Sequence, residues 1–158
     1  CRNSATTTTL SSTNTPAHGS FIVAPNSPHD WLSPQNPILW QGINSINNPC
    51  PNGFRLPTDI EWNAERSSWL SSDATGAFFS TLMLPLNGYR HRGFYFNTNG
   101  TMILLSAGSI ENNGSLGHYW SSNVSGSDSR RLGFNSASAG MSNSDGRAHG
   151  RAVRCIKD

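Results

Sequence analysis

Residues 119–158 read YWSSNVSGSDSRRLGFNSASAGMSNSDGRAHGRAVRCIKD. Leu132 and Phe134 sit two apart, as do Ala139 and Met141, while Arg131, Gly133, Asn135, Ser138, Gly140 and Ser142 fall beside and between them. A pleated strand sends alternate residues to opposite faces. Leu132, Phe134, Met141 and Val153 are therefore assigned to a core, and the small polar set to a presented surface. Each apolar run here is short and bounded by Gly, Asn or Ser, which predicts several short strands rather than helix.

Upstream, LPTDIEWNAERSSWL (56–70) predicts one main helix. Thr58 stands as N-cap after Pro57, and Glu61 three residues on completes a capping box. Ile60 and Ala64 are expected to line its inward stripe with Trp62, Glu65 and Trp69 close by, and the helix is expected to end near residue 72. A second, shorter helix is an option over 77–82. From Pro85 onward the signals are β, with Asn99-Gly100 as a turn between two apolar runs. A helix followed by crowded short strands defines the α+β class. Before the helix, SFIV (20–23) reads as a strand, followed by an irregular proline-containing segment whose backbone Trp31 and Trp40 are expected to pin. Residues 1–17 are rich in Ser and Thr, too poor in apolar surface to offset ordering entropy, and read as a linker, tether or edge strand.

The 158 residues suit one domain with a real core. Charged residues make up only 13% and the net charge is +2, which argues against a nucleic-acid partner. Ten arginines stand against one lysine, and six basic residues lie between Arg130 and Lys157. They read either as an anion site or as arginines packed on aromatic rings. No apolar run is long enough to span a bilayer. No signal-peptide pattern is visible, leaving a mature or trimmed chain open. Cys1, Cys50 and Cys155 form no CxxC pair and have no histidine at zinc-ligand spacing. A disulfide between Cys50 and Cys155 is expected, in an oxidising compartment. Cys1 is then a lipidated terminus, a partner for an upstream cysteine, or a free thiol.

Catalytic chemistry finds little footing. His18, His29, His91, His118 and His149 are scattered without a nucleophile and orienting partner, and there is no GxSxG elbow. His118, beside Tyr119 and Trp120, is expected to be packed. The late acids Glu111, Asp128, Asp145 and Asp158 are dispersed, whereas calcium needs six to eight converging oxygens. Asn36 and Asn47 read as turn formers rather than ion ligands. Trp62, Trp69, Phe78, Phe94, Phe96, Trp120 and Phe134 are read as core, and Tyr89 and Tyr119 as reaching the ligand face. No enzyme, metal or cofactor is expected. The glycosylation sequons at Asn99, Asn113 and Asn123 are read as incidental.

The blocks NPCPNGFRLPTDIEW (48–62), LPLNGYR (84–90), GHYWSSNVSG (117–126) and GRAVRCIKD (150–158) together resemble the Fibrobacter succinogenes major paralogous domain family. That family is similar to C-type lectin and formylglycine-generating-enzyme-type domains. The resemblance runs from Phe21 to the C-terminus. It implies a C-type lectin-like domain over 18–158 in which the N- and C-terminal strands pair, Cys50 bonds Cys155, and the C-terminal strands and loops build a ligand surface. The chain lacks the reactive cysteine pair of the formylglycine-generating enzymes and the calcium motifs of sugar-binding lectins.

A narrower resemblance is to the variable proteins of diversity-generating retroelements, whose C-terminal positions are rewritten at adenines. Asn123, Ser127, Asp128, Arg131, Gly133, Asn135, Ser138, Gly140, Ser142, Asp145, Gly146 and His149 are all residues such rewriting of an AAC codon produces, and they form the expected ligand face. A relative of fixed specificity stays the alternative. The expected partner is a protein or glycan on another cell or surface, bound by a monomeric, extracellular or surface-displayed domain of bacterial or phage origin. A membrane would be reached only through a lipid anchor or an upstream region. The reading from another class is a structural or assembly module capping a larger surface protein or fibre.

Overall fold

A computed structural model describes residues 5–93, 95–96, 102–103, 107–142 and 145–158. Cys1 and the Asn99-Gly100 turn lie outside the described residues. In chain order the elements are β1 (Thr6–Thr7), β2 (Phe21–Ile22), β3 (Phe54–Arg55), α1 (Asp59–Ser67), α2 (Ala74–Phe79), β4 (Asn87–Arg90), β5 (Tyr95–Phe96), β6 (Met102–Ile103), β7 (Ile110–Asn113), β8 (Gly117–Ser125), β9 (Asp128–Phe134), β10 (Ala139–Ser142) and β11 (Ile156–Lys157). Two helices among short, mostly antiparallel strands make an α+β fold. Among the described residues, no helix is long and apolar enough to cross a membrane.

The alternating C-terminal stretch becomes the three-stranded antiparallel sheet β10-β9-β8. A two-residue connection, Gly126-Ser127, joins β8 to β9, and Gly126 takes φ 57, which glycine adopts without a steric penalty. Leu132 and Phe134 point inward, as the alternation requires. They meet Trp62, Trp69, Ala77, Leu84 and Tyr119 in the main core. Tyr119 stacks on Phe134 at 6.0 Å between ring centroids, and Trp69 meets the same ring edge-on at 5.7 Å. Gly117 lies opposite Phe134 in the register, and a Cβ there would come within 2.2 Å of that ring.

Helix α1 packs Trp62 onto this sheet. Thr58 is its N-cap and the capping box with Glu61 is complete. Trp62 is the buried residue of α1, and Trp69, two residues past the helix end, joins it in the core. Ile60 lies ~200° around the helix from Trp62, and at 81% exposure it does not join the stripe expected for it. Ala64 is exposed too. The helix stops at Ser67, and the second helix lies three residues earlier than expected, capped by the Asp73 carboxylate, which accepts from the Thr75 and Gly76 backbone N–H groups.

Other expectations need correction. Phe78 is half exposed, because α2 buries its Gly76-Ala77 side and turns its last residues outward. Tyr119 belongs to the core, where its hydroxyl donates to the Pro85 carbonyl at 3.1 Å. Val153 is 39% exposed, on an extended segment that contributes isolated bridges, Gly150 with Arg90 and Ala152 with Tyr119, rather than a strand of the sheet. Among the described residues the terminal strands do not pair with each other. β1 pairs with β2 in parallel, while β11 pairs with β3, placed there by the Cys50–Cys155 disulfide a few residues away.

The irregular segment after β2 is anchored by Leu32 and Leu39, which are buried, rather than by the half-buried Trp31 and Trp40. Asp30 reinforces it, accepting from the Leu32 N–H at 3.1 Å and the Gln35 side-chain amide at 2.9 Å.

Candidate functional site

The face of β9 and β10 opposite the core opens into a groove of about 680 Å³. From β9, Arg131 and Gly133 face it; from the connection and β10 come Asn135, Ser138, Gly140 and Ser142; from the returning chain, Asp145 and His149. Eight of the twelve expected ligand-face residues thus line one concavity. Pleating explains the convergence of Arg131, Gly133, Gly140 and Ser142, which pair across β9 and β10 on the face opposite the core, while the β9–β10 connection and the returning chain bring in the other four.

Their roles within it differ. Asn135 Oδ1 accepts from the Ala137 and Ser138 backbone N–H groups at 2.8 and 2.9 Å, shaping the β9–β10 turn. Ser138 is exposed, and a Cβ on Gly140 would meet nothing within 4 Å. Asp145 instead forms the charged floor. Its carboxylate pairs with Arg131 Nε and with Arg151 Nη2, the latter at 2.6 Å. The Arg151 side chain is 2% exposed, with its guanidinium 4.8 Å from the Tyr89 ring and 5.1 Å from the Trp120 ring. Burial pushes the Asp145 carboxyl up, and Arg151 and Arg131 more than reverse that, leaving it below its ordinary value. Burial also lowers Arg151, to about 10.

Around Tyr89 gather three of the histidines that look scattered along the chain. His118 lies 5.2 Å, His149 5.4 Å and His91 6.2 Å from it, centroid to centroid, and His91 meets His149 at 5.2 Å. Burial, and then the charge of Arg151, holds His118 and His149 down at about 3. At neutral pH both rings are uncharged, so the 3.7 Å approach of His149 to Asp145 is not an ion pair. Fixed charge in the groove comes from Arg131, Arg151 and Asp145. Among the described residues, no group of three His, Cys, Asp or Glu could hold a metal ion.

Four expected residues lie elsewhere. The Asn123 amide oxygen accepts from the Asp59 N–H at 2.9 Å and so serves the start of α1. Ser127 and Asp128 sit at the β8–β9 hairpin tip, where the Ser127 carbonyl accepts from Gln35 at 3.0 Å. Gly146 is buried, and a Cβ there would come within 2.7 Å of His29 Cβ, so it cannot present a side chain freely. Conversely the groove recruits Tyr89, expected at the ligand face, together with His91, Leu116, His118, Met141 and Arg151. The late arginines are largely structural: besides the Asp145 pair, Arg147 reaches Asp30 at 3.5 Å and Arg130 pairs with Asp59. Asn36 behaves as a turn former, its side-chain oxygen accepting from the Ile38 N–H at 3.1 Å.

Comparison of the chain with protein families, curated proteins and solved structures found no match.

Proposed function

We propose that this chain is a non-catalytic ligand-binding domain of C-type lectin-like architecture, displayed extracellularly on a bacterial or phage surface, with the β9–β10 groove as its recognition face. The observation that carries this reading is the convergence of Arg131, Gly133, Asn135, Ser138, Gly140, Ser142, Asp145 and His149 on a single concavity. Its volume of about 680 Å³ lies within the usual ligand-pocket range. The resemblance to the Fibrobacter succinogenes major paralogous domain family, and to retroelement-diversified proteins within it, supports the same reading from the sequence side.

The geometry narrows which positions can vary. Ser138, Gly140 and Ser142 stand on the rim, where substitutions cost within about 0.5 kcal/mol, whereas Asp145 and Arg131 hold the floor together. The rim offers no aromatic anchor, and such anchors dominate tight interfaces. Monomeric binding is therefore weak and strengthened by avidity.

The test is a display library randomised at residues 138, 140 and 142 and selected on panels of purified surface proteins and glycans. Selected clones should remain folded monomers and owe their binding to those three positions. Libraries that fold but yield no binders, or a nanomolar monomeric affinity in the chain as it stands, would overturn the corresponding part of the proposal. Sequencing the surrounding DNA for an adenine-substituted near-copy of codons 117–158 beside a reverse-transcriptase frame tests the diversification itself.

A second reading, an assembly module of a larger surface structure, is favoured by one observation. Leu70, Phe79 and Met83 are 97%, 73% and 63% exposed within a short stretch around α2. Sedimentation of the isolated chain as a monomer at high concentration would count against it.

A further inference from the structure

Among the described residues that line the groove, two carry a guanidinium, Arg131 and Arg151. Arg151 is engaged within the fold: its side chain is 2% exposed, Nη2 pairs with Asp145 and Nη1 meets His118 Nδ1. The Arg131 side chain is 19% exposed, and its contact with Asp145 uses Nε. Nη1 and Nη2 of Arg131 make no hydrogen bond to a described residue and are not sealed from solvent. With Nε occupied, the Nη1–Nη2 edge remains, and such an edge can hold two oxygens of one planar group.

The place of that edge is fixed by a glycine. Gly133 lies two residues along β9 from Arg131, on the face opposite the one that Leu132 and Phe134 turn to the core. A Cβ on Gly133 would collide with Arg131 Nη1, with the guanidinium carbon and His118 Cδ2 next nearest at 3.5 Å. Nη1 therefore stands over Gly133 on the groove side of the sheet, in the space a side chain at 133 would take. Across the strand pair Gly133 faces Gly140, where a Cβ would meet nothing within 4 Å, so the floor beyond the guanidinium is open.

Charge then selects the occupant. Among the described lining residues two guanidiniums face one carboxylate, Asp145, an excess of one positive charge. His118 and His149 are uncharged at neutral pH and add nothing to either side. Glu111 stands outside the lining, accepting from the Tyr89 hydroxyl at 3.3 Å. A cation meets the excess as repulsion. A neutral ligand covering the groove would strip water from the Nη edge and return no charge, the costly case for a desolvated ion. A dianion would set a second negative charge near Asp145 with no cation to face it. A single carboxylate matches both the charge and the two-pronged edge. We propose that the ligand of this groove presents one ionised carboxylate, held through both oxygens by Nη1 and Nη2 of Arg131 above Gly133. The proposal rests on the β9–β10 groove being the recognition face and names the group that face takes.

The experiment titrates the intact chain by NMR with two acids and their neutral counterparts: N-acetylglutamate α-amide beside N-acetylglutamine amide, and methyl glucuronide beside methyl glucoside. The Gly133 and Gly140 backbone N–H signals report on the groove. At least one acid should saturate at millimolar concentration and bind about tenfold or more tightly than its neutral counterpart, as a charge-assisted hydrogen bond predicts. Which acid binds tells whether a peptide or a sugar carries the group. Gly133→Ala leaves every charge in place while its methyl displaces Nη1, the end of a flexible side chain, so it should keep the fold and weaken the acid about tenfold. Arg131→Lys, which keeps a charge but not the fork, should weaken it similarly. Acid and neutral forms binding alike would overturn the proposal, as would an acid affinity unchanged by either variant, or methyl phosphate outcompeting both acids. If neither acid binds while the rim library yields binders, the carboxylate fails and the recognition face stands; if both fail, the recognition face fails with it.

Discussion

Asp145 is the residue on which the groove's electrostatics turn. Its carboxylate balances Arg131 and the 2%-exposed Arg151. Removing one partner of a buried ion pair leaves the other charge stranded, so Asp145→Asn should cost about 3–5 kcal/mol, read as a lower urea midpoint. The neutral histidines give a pH signature. His118 and His149 have folded pKa values of about 3, below the ordinary 6.5 or so, and the unfolded chain therefore takes up protons that the folded chain refuses. Stability is full above the unfolded value and is lost as pH falls from there toward 3, and in the lower part of that range Glu61, lowered to about 2 mainly by Arg55, and Asp145 add their own losses. Melting should drop by about 5 °C or more between pH 7.5 and 4.5. His149→Gln should flatten the upper part of that profile, and a flat profile in the parent chain would contradict the burial of neutral rings. None of this is visible along the chain, because His118 and His149 reach Tyr89 and His91 only through long-range contacts: β8 against β4, where Asn87 Oδ1 accepts from the His118 N–H at 2.9 Å, and the bridge between Arg90 and Gly150.

At the scale of elements, local chemistry was legible and orientation was not. Thr58 and Glu61 announce the start of α1 because a capping box satisfies two backbone donors with two side chains at fixed spacing. Thr58→Ala should cost about 1 kcal/mol, measurable by denaturation, with Glu61 still held by two 2.8 Å contacts to Arg55. Which face of the helix turns inward depends on the large rings available to fill the core, and Trp62 with Trp69 outweighs Ile60. The β9–β10 alternation was legible for the opposite reason: a period of two leaves only two choices of face, and Leu132 with Phe134 decides between them. Close approach adds a constraint invisible in the pattern. Gly117→Ala would drive a methyl into the Phe134 ring, so this change should lower the melting temperature far more than Gly140→Ala, where the space is open.

Across the whole molecule, small paired strands and irregular segments are tied together by one covalent bond. Cys50 and Cys155 are 105 residues apart and bonded, and a loop of that length constrains the unfolded chain by about 4–5 kcal/mol in the chain-entropy treatment. Reduction, or paired substitution of both cysteines by serine, should lower the denaturation midpoint accordingly. Cysteine arithmetic made this bond legible, whereas the partner strand of β11 was not, because Phe54 and Arg55 carry no pairing signal of their own. The bond also makes residues 50–155 a closed ring that contains both helices, the entire groove and the exposed hairpin tip. A protease that cuts once anywhere inside that ring opens it without releasing a fragment: the two new ends stay on one molecule until a reductant arrives. A single nick at Gly126-Ser127 is thus a scar rather than an amputation.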